Sequence, residues 1–281
     1  MSTHHFHSGD GPAMIRIQPD VIGWKFLGFE LQRLAASREL TLRDADREMA
    51  IIPVRGAALV EADGQQYDLT RAGVFTDTGS VLYVPPDTPV RLTARDSFDF
   101  AVGSAPARGD FPLRLFGPAE VNIEQRGGAN ARRQVHHVLA PPLPAERLIS
   151  YEVFLPGGSW AGWPPHRHDG ADGSPYLEEI YFFLFDRPDG FGFHRNFDAE
   201  GYDETFVVRN GDCVAVPRGY HVTTSSPGNN MWILNFLAGE LVGEGRSRGP
   251  HFDPSTTWIC EDWSRGQIEL PFDPLRGGRT S

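Results

Sequence analysis

The chain has 281 residues, a formal charge of −11, 40% apolar residues and two cysteines. This length allows one large domain or two of ordinary size, with a core that needs no staple. The excess of acid excludes nonspecific attachment to nucleic acid, Cys213 and Cys260 are too few and too far apart for a disulfide framework, and no apolar run approaches the roughly 20 residues that span a bilayer. A soluble, cytoplasmic protein is therefore expected. Lys25 is the only lysine and lies far in sequence from the histidine cluster, which argues against Schiff-base chemistry.

The polar, His/Gly-rich start reads as a flexible tail over residues 1–15. From Val21 to Phe236, short β-branched and aromatic runs alternate with Gly, Pro, Asp and Asn, and helical periodicity is scarce. This is an all-β pattern. Arg47 to Val60, Gln66 to Leu69 and Gly79 to Pro85 read as strands of a first barrel over residues 16–140. Near its end, Arg126 to Arg133 form a basic, Gly-containing loop, suited either to hold a carboxylate or to face solvent. Ala140-Pro141-Pro142-Leu143-Pro144 reads as a stiff linker. A second barrel over 141–245 repeats the grammar with Glu178 to Phe185, Phe191 to Phe197, Thr205 to Arg209 and Gly211 to Pro217. Gly79 to Pro85 and Gly211 to Pro217 share one pattern: Gly, five residues, Pro. The remainder, 246–281, is an irregular extension expected to fold over the barrels, because Trp258 and Trp263 are costly to expose.

The chemistry concentrates in the second barrel. His166 and His168, two residues apart after a double proline, share one strand face. Glu179 alternates in phase with Tyr181, Phe183 and Phe185, whereas Glu178 points the opposite way with Ile180 and Phe182. His221 follows the Pro217 corner, where a strand end can deliver an imidazole inward. Three imidazoles and a carboxylate suit zinc, manganese, iron or nickel better than calcium. His136, His137 and His251 read as packed or surface residues. No histidine stands between His7 and His136, so the first barrel is expected to lack a metal.

These residues resemble the cupin superfamily, with its HxH and downstream Glu in one motif and Gly, five residues, Pro, then Gly and His in a second. Ten residues separate His168 from Glu179 and His221 follows Gly219 by two; both spacings resemble those of the KduI/IolB isomerase family. Pro156 to Trp160, Pro164 to Asp169, Leu177 to Tyr181, Asp203 to Thr205, Pro217 to His221, Leu234-Asn235 with Ala238-Gly239, and Arg126 to Val135 carry the likeness. It implies two tandem cupin barrels, a divalent ion in the second, zinc or manganese first and iron or nickel as the others, and conversion of 5-deoxy-D-glucuronate to 5-dehydro-2-deoxy-D-gluconate in myo-inositol catabolism. Hydrogen would move between adjacent carbons by base-mediated proton transfer or by a hydride shift.

Within that resemblance Tyr181 and His194 are the candidate catalytic groups, and Arg195, Arg218 and Tyr220 the candidate substrate contacts. A sugar acid is the implied partner, and a homodimer or larger assembly fits an inert first barrel. Departures from the family at Ala161-Gly162-Trp163, Leu184, His194, Phe197 and Trp232-Ile233 are expected around the pocket. A divergent isomerase acting on a similar sugar acid, a cupin dioxygenase using iron and a noncatalytic sugar-acid binding protein are the other readings.

Overall fold

A computed structural model describes residues 3–265 and 267. Among these residues, strands form three sheets and the helical segments are short 3-10 turns. No helix is long and apolar enough to cross a membrane.

The first barrel is built around the 16-residue strand Arg47–Ala62. Its first half pairs with Val81–Val84 and Phe98–Pro106, and its second half with Gln65–Arg71 and Val90–Ala94. The change of partners follows a register shift between Pro53 and Arg55, beside Gly56, whose φ is 95°. A Cβ there would lie 2.0 Å from Ser97 O, so the corner requires glycine. In the second barrel, one sheet contains Asp212–Val216, Leu177–Phe185, Met231–Gly239 and Ile149–Leu155. A facing sheet contains Asp203–Arg209, Phe191–Phe197, Tyr220–Ser225 and Trp160–Arg167.

Two expected boundaries differ from the observed pairing. The described part of the expected tail, residues 3–15, is not free: His5–His7 pairs with Asp212–Val216 in the second barrel, and Ala13–Ile17 pairs with Gly28–Leu34. Likewise, Asn122–Arg126 and Arg133–Leu139 join Ile149–Leu155 in the second barrel's sheet, so the change of sheet precedes the proline-rich segment. Leu143, Ala145 and Leu148 then bury themselves between the barrels. A proline-rich run can thus be a packed connection when its intervening residues are apolar.

The apolar residues divide into three main cores. Leu34, Met49, Ile51, Val60, Leu92 and Phe100 help to fill the first barrel; Val135, Tyr181, Phe183, Phe185 and Ile233 help to fill the second. The third lies between the barrels, where Phe29, Ile52 and Ala101 belong to one cluster with Ile180, Phe182 and Phe236. This is why Leu177–Phe185 is apolar on both faces: one lines its own barrel and the other packs on its neighbour. The contact is close, since a Cβ on Gly103 would stand 2.2 Å from the Phe236 ring.

Polar groups lock the halves reciprocally. Glu178 accepts the backbone N–H groups of Lys25, Phe26 and Leu27 at 2.8 Å. Glu48 accepts those of Glu146, Arg147 and Leu148 at 2.7–2.8 Å. Each also accepts a tyrosine hydroxyl, from Tyr176 and Tyr83 respectively. Arg71 adds a fork of 2.6 and 2.9 Å to the fully buried Glu152.

Strand pairing makes the internal repeat explicit. Met49 opposes Val84 as Glu179 opposes Val216, and Ile51 opposes Val102 as Tyr181 opposes Asn235. The first barrel therefore has Met49, Ile51 and Val102 where the second has Glu179, Tyr181 and Asn235. The former three belong to an apolar core.

Candidate metal centre and cavity

The four proposed ligands converge across the sheets of the second barrel. His166 directly opposes His221 in the antiparallel pairing of their strands. His168 follows the end of Trp160–Arg167, and its carbonyl accepts Leu177 N at 2.7 Å, bringing it beside the strand bearing Glu179. The long spacing between His168 and Glu179 is the loop joining the two sheets. Arg167 grips Asp169 in that loop at 2.7 and 2.8 Å, and Asp169 accepts Gly219 N at 2.7 Å. One aspartate thus ties the first histidine motif to the corner preceding His221.

His168 Nε2 is 2.7 Å from Glu179 Oε2, and His221 Nε2 is 3.2 Å from the same oxygen. The imidazole donor atoms of His166, His168 and His221 lie within 4.8 Å of one another. Two surrounding groups fix the set. Leu177 O lies 2.8 Å from His168 Nδ1, and Asn235 Nδ2 donates to Glu179 Oε1 at 2.9 Å, leaving Oε2 toward the imidazoles. Fully buried His221 has no hydrogen-bond partner for Nδ1 among the described residues, and its Nε2 has only the 3.2 Å contact with Glu179 Oε2. A poorly satisfied buried imidazole is costly, and a cation bound by this donor set would relieve that cost. The residues fit a divalent transition-type ion.

Burial opposes charge throughout the cluster, and neighbouring groups decide the balance. Burial alone would raise the Glu179 pKa, but the His168 and His221 imidazoles hold it well below the usual carboxylate range. Burial followed by the neighbouring His221 and His168 pushes His166 well down. For His168, burial acts downward but Glu179 outweighs it and raises the pKa; for His221, burial prevails and lowers it. Tyr181 is pushed well up by burial and then by Glu179, which keeps its phenol protonated.

A cavity of about 240 Å³ opens above His166, His168 and Glu179. Tyr151, Tyr181 and Asn235 contribute polar wall atoms, and Arg126, Arg133 and Arg248 contribute positive charge. Arg133 is half-buried and donates to Ala131 O at 3.1 Å and Trp163 O at 3.4 Å; it forms no ion pair among the described residues. Arg126 pairs with Glu124 and lies over Tyr151, 5.9 Å from the ring centre. Residues Ser247 to Pro250 cover part of the cavity; residues 266 and 268–281 of the expected extension lie outside the described residues. Trp263 packs against Gly128, while Trp258 remains 44% exposed. Trp263 is half-buried, and Trp258 is not covered.

Tyr181 reaches the cavity; the remaining candidate catalytic and substrate residues do not line it. His194 lies behind it, fully buried, with Nδ1 2.7 Å from Thr223 Oγ1 and Nε2 2.9 Å from Asn196 Oδ1. Burial, then His221, lowers its pKa to about 3. Arg195 faces outward and grips Asp203 at 2.6 and 2.9 Å. Arg218 pairs with Asp198 at 3.4 Å, and Tyr220 lies beneath the Arg167 guanidinium. Among the family departures, Ala161 and Gly162 line the cavity, whereas Leu184 and Trp232 pack between the barrels, Ile233 fills the barrel interior and Phe197 lies outside.

The two barrels and the His/Glu cluster define a bicupin protein. The KduI/IolB family model matches residues 1–259, and the chain belongs to that family. It is 36% identical over 255 residues to the 5-deoxy-glucuronate isomerase of Geobacillus kaustophilus, covering 88% of this chain and 91% of that one. The enzyme of the same name from Geobacillus thermodenitrificans is 34% identical over 254 residues, with the same coverages. Among solved structures, an IolB-like protein from Salmonella typhimurium LT2 superposes with a TM-score of 0.87 at 32% identity, covering 92% of this chain and 99% of that one. Oxalate decarboxylase of Lactobacillus farciminis shares the fold at a TM-score of 0.60 and 14% identity, over 86% of this chain and 88% of its own.

Proposed function

We propose that the protein is an aldose–ketose isomerase acting on 5-deoxy-D-glucuronate, giving 5-dehydro-2-deoxy-D-gluconate, with a divalent metal held by His166, His168, Glu179 and His221. One observation carries the site assignment: the ligand cluster forms one wall of a cavity that also contains Arg133 without a carboxylate partner among the described residues. A uronate offers a carboxylate for the arginine end and a carbonyl with its adjacent hydroxyl for the other. When bound, the metal supplies Lewis-acid polarisation of substrate oxygen. Zinc or manganese suits the mixed nitrogen and oxygen donors.

The reaction relocates two hydrogens: the hydrogen on C2 moves to C1, and the hydroxyl hydrogen on O2 moves to O1. Arg133, supported by Arg126, holds the substrate carboxylate in a two-pronged grip. The protonated Tyr181 phenol is a hydrogen-bond donor to a substrate oxygen. Asn235 positions Glu179, and Ser247 to Pro250 reduce water access from one side. His194, packed behind Tyr181 with ring centres 4.8 Å apart, orients that wall without touching substrate.

Arg133→Ala tests this orientation by steady-state kinetics. Loss of a charge-assisted two-pronged contact should raise KM about 30-fold or more, equivalent to about 2 kcal/mol, with metal content unchanged. An unchanged KM on the uronate would remove Arg133 from substrate binding.

A further inference from the structure

We infer that His5, His7 and Asp212 form a second divalent-cation site, separate from the cavity cluster, which fastens the N-terminal strand to the second barrel. His5 and His7 stand two residues apart on His5–His7, and His7 directly opposes Asp212 across the strand pair. Strand alternation therefore places both imidazoles on the carboxylate's face. The intervening Phe6 points the other way and packs against the core between the barrels.

The donor atoms already converge. His5 Nε2 is 3.2 Å from Asp212 Oδ2, and His7 Nδ1 is 2.8 Å from Asp212 Oδ1. The imidazole centres are 4.3 Å apart, and the three donor atoms lie within 4.8 Å of one another. Donors on a shared tetrahedral zinc, each about 2.0–2.1 Å from it, stand about 3.4 Å apart. Small side-chain adjustments therefore accommodate such an ion. Arg209 N also donates to Asp212 Oδ2 at 2.8 Å, orienting the carboxylate and leaving Oδ1 available.

The surroundings favour a structural cation with solvent access. Asp212 is 8% exposed at its side chain, His5 15% and His7 67%, so one side is built into the barrel and the other admits water to complete the coordination shell. Two imidazoles and one carboxylate select a zinc-like ion over calcium. Because the short strand lies at the sheet end, an ion bridging it to Asp212 would protect an otherwise weakly held edge.

Calorimetric titration of metal-stripped protein, purified without a histidine tag, with Zn²⁺ tests the inference. The wild type should bind two equivalents, His7→Ala one, and His168→Ala one through the N-terminal site. Asp212→Asn should repeat the His7→Ala result. Zn²⁺ should also slow amide exchange at residues 5–7 in His168→Ala by at least tenfold, but not in a His7→Ala/His168→Ala double variant. Uptake of two equivalents by folded His7→Ala, or of only one by the wild type with His168→Ala taking none, would overturn the second site. The His168→Ala comparison separates this result from failure of the cavity site.

Discussion

Glu178 and Glu179 are adjacent carboxylates with opposite assignments, and Glu178→Gln separates them. One Glu178 oxygen accepts Phe26 N and Leu27 N, while the other accepts Lys25 N and the Tyr176 hydroxyl. A glutamine keeps the size but replaces one acceptor with an NH2 group facing two donors. Two hydrogen bonds to a charged group are lost, each worth about 1.5–3 kcal/mol, and the buried donors are left unsatisfied. Allowing for relaxation, the substitution should cost about 3–5 kcal/mol, lowering the thermal midpoint by roughly 6–10 °C at about 2 °C per kcal/mol. Scanning calorimetry reads this, and elemental analysis should find wild-type metal at the cavity site. Glu179→Gln should do the reverse, losing that metal while keeping the barrels folded. A Glu178→Gln midpoint within about 2 °C of wild type would refute the assignment of Glu178 as the inter-barrel clamp.

Packing and pH give two further tests. Gly103→Val would drive side-chain atoms into the Phe236 ring, so urea unfolding should show at least the about 1–3 kcal/mol typical of overpacking; no loss would contradict the close barrel contact. Glu146 is subject to burial, which raises its pKa, but the N–H groups of Arg108, Asp110 and Gly109 outweigh this and hold it below its ordinary value. Its stabilising contribution is therefore present above the unfolded carboxyl pKa of about 4.3 and is lost as pH falls through the depressed folded value. Urea midpoints for wild type and Glu146→Gln should differ at pH 7 and converge below about pH 4; a constant gap would contradict this linkage.

The convergence of the four candidate ligands was legible because alternation distinguishes Glu179 from Glu178 and because His166, His168 and His221 occupy recognisable strand ends. The all-β architecture was legible from the repeated turn-bounded runs. Long-range pairing was not: nothing near His5–His7 in sequence announces Asp212–Val216 as its partner. That pairing, with the early crossing at Asn122–Arg126, displaced the expected boundaries and brought Arg126 and Arg133 to the cavity. Arg195 was placed by family resemblance, although its strand gives a contrary local signal. Phe191, Phe193 and Arg195 share the exposed face, while Gly192, His194 and Asn196 turn inward. The apolar exposed face obscured that phase, because hydrophobicity alone suggests burial.

The central claim is tested most directly by following metal-replete protein with 5-deoxy-D-glucuronate by NMR, before and after chelation, with His168→Ala in parallel. The aldehyde signals should disappear as the C2 ketone grows, a change abolished by chelation, restored by zinc or manganese, and absent in His168→Ala. Unchanged substrate with a fully metallated wild type would contradict the proposed isomerase, and equal turnover by metal-free protein would contradict the metal's role.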